Sequence, residues 1–380
     1  MQPLDWIDDE LDGLNATDAL RAIRTRDVGY RPGYISLAGQ EAINFSSNDY
    51  LGIAAELTRN DGDQHWGSGA SPLITGYTST HQILEQRFSE FKNSESAMLF
   101  SSGFAANMGT IPAIVGEGDA VFSDARNHAS IIDGCRLSKA DVFIYRHNDI
   151  DRLAELITGV KARRKLIATD TLFSMDGDIA DLSSLAQLAD DAGAMLMVDE
   201  AHATGVYGEY ARGLVEESNI EAGVHITVST FSKALGSIGG VVTGSNQLIN
   251  WLRNKARSYV YSTSIPHGVC EMSLAGLELT QADSNRRIHL LALRDHLVSR
   301  LAADGLVDKN HPSHIVPIRV GANDKTLGLS QQLFETGFLV AAIRPPTVPK
   351  GEAMLRISLT ASHTYAQIDT LADALGACWR

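Results

Sequence analysis

The sequence predicts an α/β protein, with a large domain built on a mostly parallel β-sheet covered by helices and a smaller α+β domain at the C-terminal end. The chain has 380 residues, more than the roughly 250–300 at which a single hydrophobic core stops growing. From residue 97 onward, short apolar runs alternate with helical patterns, which is typical of a parallel sheet. We expect a helical arm over residues 1–44, the large domain over 45–275 and the small domain over 276–380.

The spacing of apolar residues predicts the individual elements. In the arm, Leu4, Ile7 and Leu11 begin a three-to-four spacing that continues to Ile23, which indicates an amphipathic helix over about 4–24. The predicted strands of the large sheet are 97–100, 120–122, 142–145, 166–169, 194–198 and 226–229. A long helical stretch over 266–303 follows, and the small domain has predicted strands at 315–320, 340–343 and 355–359, with helices at 327–335 and 365–378.

Composition and charge exclude several classes of protein. The chain has 32 Lys and Arg against 46 Asp and Glu, a net charge of −14, which argues against a nucleic-acid surface. The three cysteines form no C-x-x-C pair, and the histidines show no metal-ligand spacing, so we expect neither a disulfide framework nor a metal. No apolar run approaches the ~20 residues of a membrane span, and we expect a cytoplasmic protein. The basic run 161–165 is interpreted as a solvated helix end rather than a phosphate site.

The most informative segment is 230–236, in which Lys233 stands between hydroxyl residues, after a β-branched run and before glycines. A lysine held at a strand end can form an imine with pyridoxal 5′-phosphate (PLP), because such a lysine is fixed, partly desolvated and close to a phosphate anchor. An ordinary loop lysine is the alternative for this segment taken alone.

Asp199 ends an apolar run and is followed by Glu200, Ala201 and His202. This tetrapeptide also occurs in helicase-like ATPases, but the chain contains no Gly-Lys dipeptide and therefore no phosphate loop of the G-x-x-x-x-G-K-[ST] type. We favour the other interpretation, in which Asp199 pairs with the protonated pyridine nitrogen of PLP and keeps the ring an electron sink.

The segment 101–107 supplies a candidate anion site. Gly103 lets the backbone approach closely, and the amides that open the following helix point at an anion, here the phosphate of PLP. Thr230, three residues before the lysine, could add a hydroxyl to the same phosphate. An ordinary strand-to-helix turn is the alternative for this segment.

Other candidates are weaker when each is taken alone. His128 follows a predicted strand and could stack on the pyridine ring, although a surface histidine is the alternative, as it is for His202. Ser174 lies in a predicted turn, where simple turn chemistry would also explain it. Arg344 and Arg356 could grip a carboxylate, or they could form surface salt bridges.

Taken together, these segments resemble the α-oxoamine synthases, PLP-dependent enzymes of fold type I with an aspartate-aminotransferase-like large domain. The resemblance spans nearly the whole chain, from NFSSNDYLG at 44–52 through DEAH at 199–202 and SKALG at 232–236 to LRISLT at 355–360. The segment AIRPPTVP at 342–349 makes the chain most similar to the members that use L-alanine and a pimeloyl thioester. One departure is Pro72, which stands where many relatives have arginine.

The resemblance implies a decarboxylative condensation of L-alanine with pimeloyl-CoA or pimeloyl acyl carrier protein in biotin biosynthesis, by a homodimer with shared active sites. A synthase that uses glycine and forms aminoketobutyrate or aminolevulinate is the alternative. The implied catalytic residues are Lys233, His128 and Asp199. The residues implied to bind PLP are Gly103, Phe104, His128, Ser174, Asp199, His202, Thr230, Lys233 and, from the second subunit, Thr263. The residues implied to bind substrate are Arg21, Asn48, His128, Thr347 and Arg356.

Overall fold

The computed structural model describes residues 2–27, 29, 31–57 and 66–379, and the chain divides into two compact units. The terminal unit consists of the described residues within Met1–Tyr50, Met175–Gly177 and Ile288–Arg380. The central unit consists of those within Leu51–Ser174 and Asp178–Arg287. The domain boundaries expected at residues 44 and 275 stay a prediction.

The elements are numbered along the chain. The strands are β1 (Tyr34–Leu37), β2 (Gln40–Asn44), β3 (Ser96–Phe100), β4 (Ala120–Asp124), β5 (Asp141–Tyr145), β6 (Lys165–Asp170), β7 (Met195–Asp199), β8 (Ile226–Thr230), β9 (Gly240–Gly244), β10 (Ile315–Gly321), β11 (Phe338–Leu339), β12 (Ala341–Ile343) and β13 (Ala353–Ser358). The helices are α1 (Trp6–Ala16), α2 (Ser79–Phe91), α3 (Gly103–Ile114), α4 (Ala129–Ser138), α5 (Ile150–Gly159), α6 (Leu182–Asp191), α7 (Leu214–Glu217), α8 (Asn246–Lys255), α9 (Arg257–Val260), α10 (His267–Ala282), α11 (Ser284–Ala303), α12 (Asn323–Glu335) and α13 (Tyr365–Trp379).

The central unit is built on a seven-stranded sheet with the order β3-β9-β8-β7-β6-β4-β5. The pairings from β8 through β7, β6 and β4 to β5 are all parallel, and β9 pairs antiparallel with both β8 and β3. The predicted α/β fold class with a mostly parallel sheet is therefore confirmed. Strand β9 was not predicted, because two of its five residues are glycines and glycine is depleted in strands.

Helices cover both faces of this sheet. Successive residues of a strand point to opposite sides, so the apolar strands present side chains on each face for helices to pack against. In β3, Met98 and Phe100 join one buried apolar cluster, which also contains residues of α3, α4 and α8. Their neighbours Ala97 and Leu99 join a second cluster, with residues of α2 and α10. Every residue of β4 is buried, as expected for a central strand of a parallel sheet.

The terminal unit contains two three-stranded sheets. One has the antiparallel order β10-β13-β12, and in the other β2 pairs with β1 and with β11. All six residues of β13 are buried. Helix α12 ends at the turn before β11, and α13 closes the chain.

Two predicted helices differ from the observed ones. The arm helix ends at Ala16 rather than near residue 24, because Asp18 adopts a left-handed backbone with φ of 51°, which ends an α-helix. The apolar spacing that continues to Ile23 is therefore not helical, and Ile23 is exposed. The long stretch over 266–303 is divided at Asp283 into α10 and α11. No helix in the described part of the chain is long and apolar enough to cross a membrane.

Candidate active site

Polar side chains gather at the edge of the central sheet where its parallel strands end. Strand β6 ends at Asp170 and β7 at Asp199, and these two acids are partners in the parallel register. Ligands of α/β proteins bind at such carboxyl edges, and a cavity of about 190 Å³ opens here. Seven residues that were predicted from the sequence line this cavity, namely Gly103, Phe104, His128, Asp199, His202, Thr230 and Lys233.

Lys233 lies in a tight turn after β8. Its Nζ is 2.8 Å from Nε2 of His202, so the segments that follow β7 and β8 bring an amine and an imidazole together. The turn is fixed by the bond from the Gly236 N–H to the Lys233 carbonyl (2.9 Å). Gly236 has φ of +70°, and a Cβ there would lie 2.6 Å from the backbone nitrogen of Ala54. A larger residue at this position would displace the turn that presents Lys233.

Asp199 presents a carboxylate whose two oxygens both accept hydrogen bonds. The Ala201 N–H donates to Oδ1 (2.8 Å) and Asn107 Nδ2 donates to Oδ2 (2.6 Å). The side chain is buried and lines the cavity. A fixed acid at this position can face a cationic group of a ligand.

The N-terminus of α3 lies on the cavity wall and is shaped for an anion. Ser102 caps the helix by accepting a hydrogen bond from the Ala105 N–H (3.0 Å). The N–H groups of Gly103 and Phe104, in the first turn, have no acceptor within the helix and can bind an anion. Strand β9 passes close to Ser102 at this point, and residue 240 has to be glycine, because a Cβ there would lie 2.3 Å from the Ser102 carbonyl oxygen. The Thr230 hydroxyl is adjacent and lies 2.7 Å from the Gly239 carbonyl oxygen.

His128 caps α4 and is held from two sides. Its backbone N–H donates to Oδ2 of Asp170 (2.7 Å), and its ring Nδ1 lies 2.7 Å from Oγ of Ser130. Loss of solvent around the ring lowers the pKa of His128; the Asp199 carboxylate opposes this shift and Lys233 adds to it. Burial, together with the charge of Asp199, raises the pKa of Asp170 well above its ordinary value.

Two predicted residues of the central unit lie outside the lining of this cavity. Ser174 is half-buried in the turn that follows β6. Thr263 lines a separate, smaller cavity with Ser101 and His81. The segment that carries Thr263 is held by His81, whose ring Nε2 is 2.8 Å from the Ile265 carbonyl oxygen. Pro72, the residue at which the chain departs from many relatives, begins a π-helical turn over Pro72–Gly76.

The four remaining predicted residues belong to the terminal unit, where they form two pairs. Arg21 Nη2 donates to the Thr347 hydroxyl (3.0 Å). Arg356 donates from both terminal nitrogens to Oδ1 of Asn48 (3.3 Å each) and is buried. The segment 342–349 is also tied to the arm, since Arg344 donates to the Asp18 carbonyl. The terminal unit thus joins residues far apart in the sequence into two polar contacts.

The basic run over 161–165 is engaged by the protein itself. Arg163 binds the buried carboxylate of Asp119 (2.9 and 3.0 Å), and Arg164 and Lys165 donate to backbone carbonyls. The interpretation as a solvated helix end was wrong, because α5 ends at Gly159 and Lys165 is the first residue of β6, so the run lies in the connection between these two elements. Among the residues that the structure describes, no group of three or more His, Cys, Asp or Glu side chains could hold a metal ion.

Several cavity residues were not predicted. Asp170 ends β6 in the same way that Asp199 ends β7, so the ending of an apolar run in an acid was a usable signal. Ser130, which lines the cavity, and Asn107, which binds Asp199 without lining the cavity, left no such signal, because each is one polar residue inside a helical pattern. Their place at the site depends on how α3 and α4 pack against the sheet.

Comparison with known proteins agrees with this geometry. The family model described as aminotransferase class I and II matches residues 40–375, and the chain therefore belongs to that family. Curated relatives named 8-amino-7-oxononanoate synthase include those of Anaeromyxobacter dehalogenans strain 2CP-1 and Azoarcus sp. strain BH72. The first is 43% identical over 98% of this chain and 95% of the relative, and the second is 41% identical over 98% and 97%. The predicted resemblance to the α-oxoamine synthases is confirmed.

Solved structures show the same fold. The serine palmitoyltransferase of Sphingomonas wittichii has a TM-score of 0.91 at 30% identity, covering 99% of this chain and 97% of that one. A serine palmitoyltransferase from S. paucimobilis with bound PLP and myriocin has a TM-score of 0.91 at 28% identity, with the same coverage. An 8-amino-7-oxononanoate synthase from Francisella tularensis has a TM-score of 0.75 at 29% identity, covering 88% and 97%. The chain is a PLP-dependent enzyme.

The cavity residues fit PLP by the chemistry of their donors and acceptors. A phosphate suits the N-terminus of α3 and the Thr230 hydroxyl, a protonated pyridine nitrogen suits the Asp199 carboxylate, and an aldehyde suits the Lys233 amine. Because Gly240 has no Cβ, strand β9 passes the first turn of α3 without displacing it. Each polar part of the cofactor therefore has a complementary group in one cavity.

Proposed function

We propose that this enzyme condenses L-alanine with a pimeloyl thioester and releases CO2 and the free thiol, giving 8-amino-7-oxononanoate for biotin biosynthesis. The observation that carries the proposal is the 41–44% identity, over nearly the full length, to curated relatives with that name. The cavity that joins Lys233, Asp199 and the N-terminus of α3 supports it.

PLP, when bound, supplies an electron-poor ring that stabilises negative charge at the amino acid α-carbon. The chain's own residues hold and use that ring. Asp199 would face the ring nitrogen, His128 would lie against the ring, and the first turn of α3 with Thr230 would bind the phosphate. Lys233 would anchor the cofactor and serve as the general base for the α-proton. His202, 2.8 Å from Lys233 Nζ, would keep that amine in place and, with Ser174, would contact the phenolic oxygen.

We infer that Arg21, Asn48, Thr347 and Arg356 bind the substrates. Guanidinium groups are the side chains best suited to the carboxylates of alanine and of the pimeloyl chain. The hydrogen bonds that join Arg21 to Thr347 and Arg356 to Asn48 support this role, because they hold each guanidinium in one orientation.

We further propose a cytoplasmic homodimer in which Thr263 reaches the phosphate in the neighbouring subunit. Thr263 lies outside the lining of the cavity that contains Lys233, yet it lines a smaller cavity with His81, which holds the neighbouring Ile265 carbonyl. A second subunit would bring such a residue to the cofactor. The measurement is sedimentation equilibrium of the PLP-loaded protein, which should give twice the mass of the chain.

Product identification tests the reaction. The purified enzyme is incubated with alanine, glycine or serine, each with pimeloyl-CoA or pimeloyl acyl carrier protein, and the products are identified by mass spectrometry. We expect the amino ketone from alanine, and the rate ratio of the two thioesters identifies the acyl donor. Turnover with glycine or serine but not with alanine would overturn the proposal.

The Lys233→Ala variant tests the proposed site. We expect it to lose all turnover and the visible absorbance of the lysine-bound cofactor, because no other amine is proposed to anchor PLP. The matched control is Lys255→Ala, which removes a lysine at the end of α8 and should leave both properties unchanged. A Lys233→Ala protein that keeps both would contradict the assignment.

A further inference from the structure

Asn107 lies one turn into α3, is fully buried, and uses both hydrogens of its amide nitrogen. Nδ2 donates to Oδ2 of Asp199 (2.6 Å) and to Oγ of Ser130 (2.9 Å). The opposite orientation of the amide would place its oxygen against the Asp199 carboxylate, acceptor against acceptor, so the orientation is determined. Within the described chain Oδ1 is buried without a hydrogen-bond partner, so the stabilising contacts of this side chain are those of its nitrogen.

Ser130 passes this orientation on to His128. The Ser130 backbone N–H points at His128 Nδ1, at 3.3 Å, which requires Nδ1 to be an acceptor. The hydrogen between Ser130 Oγ and Nδ1, 2.7 Å apart, is therefore that of the hydroxyl, whose oxygen still accepts a hydrogen from Asn107. A ring nitrogen that accepts both bonds carries no hydrogen, so the neutral ring has its hydrogen on Nε2.

We propose that Asn107 and Ser130 are positioning residues for the reaction, forming a relay that holds the Asp199 carboxylate and fixes His128 as the neutral Nε2–H tautomer. The inference rests on the roles proposed above for Asp199 and His128. Neither relay residue needs to touch the substrate. Each acts through the residue that it holds.

The placement of the relay explains its use. Asn107 is on the same helix as Gly103 and Phe104, whose amides face the proposed phosphate site, so one rigid element carries the phosphate site and the donor to Asp199. Ser130 is in the first turn of α4, next to the His128 cap. The packing of α3 and α4 therefore sets three proposed contacts to the cofactor, namely those of the phosphate site, of Asp199 and of His128.

The neutral state of His128 agrees with its surroundings. Among the described residues, the charged or titratable groups that line the cavity with His128 are Asp199 from β7, Lys233 from the turn after β8, His202 from the segment after β7, and Asp170 from β6, which binds the His128 backbone N–H. Partial desolvation lowers the pKa of the ring despite the attraction of Asp199. A donor fixed on Nδ1 works in the same direction, because protonation there would require Ser130 to rotate its hydrogen away.

Four variants of the full-length protein test the relay. Asn107→Leu removes the donor together with the unpartnered oxygen, Ser130→Ala removes the hydroxyl, and Ser130→Thr restores it. The matched control is Thr110→Val, since Thr110 is fully buried on the same helix and its hydroxyl has no partner within the described chain. The measurements are the dissociation constant of PLP from the apoprotein, the pH dependence of the bound-cofactor absorbance, and the melting temperature of the apoprotein.

We expect Asn107→Leu to bind PLP roughly ten- to a hundred-fold more weakly, the range for losing a hydrogen bond to a charged group, while the melting temperature of the apoprotein reports separately on the stability of the fold. In Ser130→Ala the midpoint of the absorbance change that follows protonation of His128 should move to higher pH, because Nδ1 of His128 is then free to take a proton. Ser130→Thr and Thr110→Val should behave like the wild type.

The relay is refuted if Asn107→Leu binds PLP as tightly as the wild type, or if Ser130→Ala and Ser130→Thr give the same pH dependence. A loss of affinity matched by an equal loss in Thr110→Val would also overturn it, since helix packing alone would then account for the effect. Failure of the proposed condensation is a separate result. An enzyme that binds PLP but makes no product from alanine and pimeloyl-CoA still reports on the relay through these readouts.

Discussion

His363 should make the stability of the terminal unit depend on pH between about 4 and 6.5. Its ring is buried, stacks on Phe45 at 4.1 Å, accepts the Thr360 N–H at Nδ1 (3.2 Å) and faces the Asn44 carbonyl with Nε2 (3.2 Å). Burial lowers its pKa from 6.5 to about 4, and the bond to Asn44 only partly opposes the shift. The unfolded chain therefore takes up the proton first, so the stability is complete above pH 6.5 and is lost as the pH falls toward 4.

The size of the effect follows from that difference in pKa. At about 1.4 kcal/mol for each pH unit, the complete loss is about 3 kcal/mol, of which about 2 kcal/mol should be lost between pH 7.5 and 5.0. Urea unfolding followed by circular dichroism at the two pH values measures it, comparing the wild type with His363→Gln. The variant keeps an amide in place of the ring, and its stability should fall by about 2 kcal/mol less over that interval.

The control for this experiment is His311→Gln, in which a half-buried histidine of the same unit that bonds the Ile315 carbonyl is replaced. We expect this variant to keep the pH dependence of the wild type. If His363→Gln loses as much stability as the wild type between pH 7.5 and 5.0, the buried ring is not the group that titrates, and the reasoning is wrong.

Two further predictions concern the central unit. Glu200→Gln leaves the ammonium of Lys92 buried without its counter-charge, because the two side chains are at most 5% exposed. Urea unfolding should show that the free energy of unfolding falls by about 3–5 kcal/mol. The loss should be smaller in the Lys92→Met/Glu200→Leu double variant, which removes both charges. Gly240→Ala places a Cβ 2.3 Å from the Ser102 carbonyl at the first turn of α3, so PLP should be lost on dialysis, as followed by visible absorbance. Gly159→Ala, with no heavy atom within 4 Å, should retain PLP, and equal retention by both variants would contradict the second prediction.

Much of the site could be predicted from local signals. Lys233 and Asp199 follow apolar β-rich runs, and Gly103 opens a helix directly after one, so their placement at strand ends needs only the periodicity of the chain. The carboxyl edge of a parallel sheet then brings such positions together. The same argument extends to Asp170, whose strand was predicted to end one residue too early.

Other features depended on contacts between distant segments. The apolar spacing of the arm continues past Ala16, but the backbone turns at Asp18, where it meets the guanidinium of Arg344. Strand β9 could not be predicted from its glycines, although its pairing with β3 and β8 requires Gly240 to pass close to α3. In both cases tertiary contacts outweigh local preference.

The sequence by itself determined the fold class and the placement of Lys233 and Asp199 at strand ends, because strand ends, glycines and an acid after an apolar run are local patterns with a direct physical meaning. Only the tertiary structure decided which polar residues support that chemistry. Asn107 and Ser130 are ordinary helical residues in the sequence, and they reach Asp199 and His128 only because α3 and α4 pack on one face of the sheet. A hydrogen bond requires its two partners within about 3 Å, and for residues 92 positions apart the folded chain alone provides that proximity.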